Sequence, residues 1–139
     1  MKAWGVRETQ PVSPSVAIPL VKAAYDEGRP ELQELWARLI ASAMDPSRSG
    51  RVRLSFISTL KEFDPLDALV LKAFFEAGNL NSSTDGPGYI SNRIQQPVFE
   101  VRLSIDNLIR LNCMRRANLN ETYVILTAYG QALLTACSS

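Results

Sequence analysis

A mainly α-helical protein that closes on a small β-hairpin is the fold class this sequence predicts, and three observations lead there. Apolar residues recur at spacings of three and four through "PELQELWARLIASAMDP" and "DPLDALVLKAFFEAG". Proline, aspartate and glycine punctuate those stretches where helices begin and end. The tail "SIDNLIRLNCMRRANLNETYVILTAYGQALLTAC" reads as helix, strand, turn, strand, helix, a winged-helix-like order. The expected layout is a flexible arm over 1–14, a helical part over 15–78, a loop over 79–88 and a winged-helix-like unit over 89–139, the two larger parts sharing one core.

Residues 1–14 mix polar residues with two prolines and show no period. In "SVAIPLVKAAYDEG", Pro19 suits a first helical turn, where its missing N–H costs nothing, and Gly28 suits a left-handed residue past the helix end. The next helix starts at Pro30, carries Leu32, Leu35, Trp36, Leu39, Ile40 and Ala43 on one stripe, and stops before Pro46. "RLSFISTLKEF" predicts a shorter helix with Leu54, Ile57 and Leu60 inward. Asp64 is a natural N-cap for the helix that follows. Pro65 takes its first position, and Asp67 stands where a carboxylate meets free N–H groups. Leu66, Leu69, Val70, Ala73 and Phe74 form its apolar face, and Gly78 closes it.

After the polar loop "NLNSSTDGPG", Pro97 predicts a short helix on each side of itself. Ser104 then reads as the N-cap of the tail's first helix, with Asp106 in the first turn and Ile105, Leu108, Ile109 and Leu111 inward. Asn112 ends that helix, because asparagine tolerates the left-handed conformation. "CMRRA" pairs with "TYVILT", and Thr127 caps the last helix. Gly130 leaves room for a second backbone to approach closely.

Composition narrows the functional classes. The chain has 139 residues, 46% hydrophobic and 21% charged, with a formal net charge of +1. Dedicated nucleic-acid binders are usually far more basic, since each phosphate contact needs a cation. No histidine is present, which removes the commonest general base and zinc ligand. Cys113 and Cys137 match no metal-ligand spacing and suit a reducing cytoplasm. No apolar run reaches the ~20 residues of a membrane span. Neither cofactor nor metal is expected, and no enzyme activity.

"PELQELWARLIASAMDP", "SFISTLKEFDPLDALVL", "SIDNLIRLNCM" and "YVILTAYGQALL" taken together resemble the successive blocks of the bacterial abortive-infection alpha (Abi-alpha) family, from about Ile18 to the C-terminus. Asn112 stands where that family usually has glycine. The resemblance implies an association with phage defence or mobile elements; it supplies no mechanism and no catalytic residues.

The candidate contact residues are arginines. Arg110 lies on the expected recognition helix, and Arg115 and Arg116 open the wing strand, where winged helices meet bases and phosphates. Arg48, Arg51 and Arg53 in "SRSGRVR" form a second cluster able to face an anion. Against this, Asp106 at the expected helix start repels phosphate. Asp64 and Asp67 are accounted for by capping. Trp4, in the arm, is the candidate anchor for a partner. The leading reading is a non-enzymatic interaction protein with a protein partner. A winged-helix DNA-binding regulator is the alternative, with weak nucleic-acid contact. No membrane partner is expected, and self-association stays open.

Overall fold

Proline stands at or beside the start of five helices, where its fixed φ is already helical and its missing N–H would have no partner. The computed structural model describes residues 14–78, 85–117 and 123–138. The expected arm up to residue 13, loop residues 79–84 and the hairpin turn 118–122 lie outside the described residues. Along the chain run α1 (Pro14–Asp26), α2 (Pro30–Met44), a 3-10 turn (Ser49–Arg51), α3 (Leu54–Lys61), α4 (Pro65–Ala77), α5 (Gly86–Ile94), α6 (Val98–Arg110), β1 (Met114–Arg116), β2 (Val124–Leu126) and α7 (Ala128–Ala136). The protein is thus mainly helical with one small two-stranded antiparallel sheet.

Contacts divide these elements into two units. The first holds the described residues up to Glu62 and those from Thr135 onward. Here α1 packs on α2 and α3, around the fully buried side chains of Leu20, Trp36, Leu39 and Phe56. Pro30 opens α2, and the helix ends at Met44, ahead of Pro46. Pro19, by contrast, lies inside α1 because Pro14 already holds its first position. Gly28 is not left-handed either. The chain runs extended through Arg29 into α2, and the Glu27 carboxylate holds that junction by accepting the Arg29 N–H at 3.1 Å, Arg29 Nε at 3.0 Å and the Trp36 indole N–H at 3.1 Å. On α3, Phe56 is buried in place of Leu54, which is 52% exposed. Leu54 is the first helical residue, where the chain has only begun to turn inward.

The second unit, Phe63–Leu134, packs α4 against α5 and α6 and adds the hairpin. Asp64 and Asp67 form the expected capping box, with the Asp64 N–H donating to Asp67 Oδ2 at 2.9 Å. The buried face of α4 includes Asp67, Val70, Leu71 and Phe74, while Leu69 is exposed. That rotation follows from turning Asp67 inward. Asn112 has φ 65°, and α6 closes through Cys113 N–H to the Leu108 carbonyl and Asn112 N–H to the Ile109 carbonyl, a Schellman motif. The strands pair as Met114 with Leu126, Arg115 with Ile125 and Arg116 with Val124. Thr127 Oγ1 accepts the Gly130 N–H at 2.9 Å and caps α7.

A further expectation for this unit fails. Ser104 caps nothing: α6 is one continuous helix of 13 residues from Val98, and Ser104 lies on its buried side. Pro97, at φ −57°, starts the helix seven residues earlier and extends it through the apolar positions Val101, Ile105 and Leu108. Asp106 is therefore a mid-helix residue, not part of an exposed helix start.

Candidate functional site

The six arginines singled out in the sequence occupy very different places. Arg48 turns inward on its own unit: its Nη2 donates to the Thr135 carbonyl at 2.9 Å and to the Ser138 carbonyl. It satisfies carbonyls at the end of α7, where a cation also suits the helix dipole. Arg51 and Arg53 are exposed, and their side chains bond to no described residue.

Arg110 holds α6 to α4 through a relay. Its Nε and Nη2 donate to Asn107 Oδ1 at 3.0 and 2.7 Å. Asn107 Nδ2 donates to Asp67 Oδ2 at 2.7 Å, the oxygen that also takes the Asp64 N–H. Arg116 Nη2 meets Asp106 Oδ1 at 3.2 Å and ties β1 to α6. Both partners face water, so this pair contributes at most about 1 kcal/mol. Arg115 is the remaining cation of the hairpin. Strand alternation turns it away from Met114 and Arg116, and it is exposed with no partner among the described residues. Trp4 lies outside the described residues.

The feature that the arginines did not reveal is apolar. On the outer face of α6, Phe99 is 67% exposed and Leu103 50% exposed, with Val98 beside them. Phe99 and Leu103, with Pro87, Arg102, Asp106 and Arg116, shape a shallow hollow of about 310 Å³. Phe99 and Leu103 are four residues apart and share one helical face; Val101, Ile105 and Leu108 occupy the opposite one. That signal was in the sequence, masked by splitting the helix at Ser104. Phe99 and Leu103 thus form an exposed apolar pair bordered by Arg102, Asp106 and Arg116.

Both cysteine thiols are buried. Burial pushes the Cys113 thiol up to about 12, with the nearby Asp67 charge adding to it, and burial does the same for Cys137. Neither forms a reactive thiolate near neutral pH. Among the described residues no group of three or more Asp, Glu and Cys is placed to hold a metal ion, and no helix is long and apolar enough to cross a membrane.

The chain is a member of the abortive infection alpha family, whose model matches residues 5–137. No curated protein and no solved structure matches it.

Proposed function

We propose that this protein acts in abortive infection, in the cytoplasm, by binding another protein and without catalysing a reaction. The exposed Phe99–Leu103 face of α6 carries this reading. Leaving an aromatic and a leucine side by side in water forgoes burial energy, which a partner recovers when it covers them. The family supports the association with abortive infection. Two buried thiols support a reducing compartment. The order α6, β1, β2, α7 supports a winged-helix-like unit used for packing and for presenting α6.

A DNA-binding regulator is the second reading, and Arg115 is the observation in its favour. Against it stand the engagement of Arg110 by Asn107 and of Arg116 by Asp106. The separating experiment is a phage-restriction assay in the native host with Phe99→Ser and Arg115→Ala. Loss of restriction in Phe99→Ser, with normal folding by circular dichroism, supports protein binding. Loss in Arg115→Ala alone supports DNA.

A further inference from the structure

A groove of about 590 Å³ runs between the start of α4 and α6, within the second unit. Its lining carries three carboxylates, Asp64, Asp67 and Glu100, and neither lysine nor arginine. Acidic groups on a rim are ordinary surface. Two buried side chains in the floor are not. Asp67 is 2% exposed. Its Oδ2 takes the Asp64 N–H and the Asn107 amide, while among the described residues nothing donates to Oδ1. Ser104 is 5% exposed and lines the same groove, and its Oγ has no hydrogen-bond partner among the described residues.

Buried polar groups are normally satisfied, and a buried carboxylate oxygen without a donor leaves room for a cation or for further donors. Arg110 is linked to Asp67 through the Asn107 amide. Pro65, Pro97 and Leu103 give the groove apolar walls. The geometry points to a binding site for an organic cation, a guanidinium or ammonium group whose N–H donors meet Asp67, Ser104 and Glu100 while its carbon stem lies against the prolines. A guanidinium fits best, because it supplies five N–H donors on a rigid plane. A bare metal ion fits poorly, since the acids do not converge as a ligand set. The groove shares Leu103 with the Phe99 face, but its polar floor of Asp67, Ser104 and Glu100 is not part of that face, and the site does not depend on the protein-binding reading.

The test is titration of the isotope-labelled full chain with methylguanidinium chloride, read by backbone amide shifts. Saturable shifts at Asp67, Ser104 and Asn107 are expected, with tetramethylammonium, a cation without donors, leaving those amides unmoved at equal ionic strength. Glu100→Gln and Ser104→Ala, neither of which removes a capping group, should each weaken binding about tenfold, the worth of one charge-assisted hydrogen bond. Spermidine and an arginine-containing peptide then distinguish a small amine from a partner's side chain as the source. Shifts that do not saturate, that tetramethylammonium reproduces, or that both variants leave unchanged would overturn the site. None of those results bears on capture through Phe99.

Discussion

Gly130 lies so close to Cys113 that a Cβ built on it would come within 2.2 Å of the Cys113 carbonyl oxygen. The backbone of α7 rests directly on the chain between α6 and β1. That oxygen also accepts the Thr127 N–H at 3.0 Å and so cannot easily retreat. In most helices glycine to alanine helps by up to about 1 kcal/mol. Here the clash dominates, and Gly130→Ala should destabilise by about 2 kcal/mol or more. Urea unfolding followed by circular dichroism checks the sign; a stabilised variant would contradict the close approach.

Asn107 links a buried carboxylate to a guanidinium, so removing it takes a donor from Asp67 and an acceptor from Arg110. Asn107→Ala is expected to cost about 2–3 kcal/mol, because the buried Asp67 loses a charge-assisted donor. Arg110→Ala, at the exposed end of the relay, should cost about 1 kcal/mol or less. Equal losses in the two variants would show that the relay does not transmit as its geometry implies. Thermal unfolding of both variants beside the parent protein measures the difference.

Much of this unit was legible in the sequence, and the reason is locality. The capping box of Asp64 and Asp67, the left-handed Asn112, the Thr127 cap and the small residue at Gly130 are each decided by neighbours within a few positions. Ser104 misled because its local signal is the same in both settings: serine before an acidic turn looks like a cap, yet Pro97 had already started the helix. The partners of Arg48 were invisible for a different reason. Arg48 meets Thr135 and Ser138, 87 and 90 residues along the chain, and no spacing rule reaches so far. The outer apolar face of α6 became readable only once the helix was known to be continuous.

Acid should loosen the junction of α1 and α2. The Arg29 side chain beside Glu27 holds its carboxyl down to about 2, with the Arg29 N–H and the Trp36 indole adding to the effect, against an ordinary value of 4.5. A carboxyl depressed by folding contributes stability that is fully present above about pH 4.5 and is lost as the pH falls toward 2. Glu27→Gln should therefore cost about 1–2 kcal/mol at neutral pH and lessen the acid dependence across that window. Melting temperatures of both proteins at a series of pH values test this. Parallel curves for the two would remove Glu27 from the account.

Affinity capture from the native host during phage infection, carried out with nuclease present and comparing the parent protein, Phe99→Ser and Arg115→Ala, tests the central claim most directly. A protein partner that survives nuclease, is retained by Arg115→Ala and is lost by Phe99→Ser is expected. Capture that nuclease abolishes, or that Arg115→Ala loses while Phe99→Ser retains it, would contradict protein binding through α6 and place the function on nucleic acid.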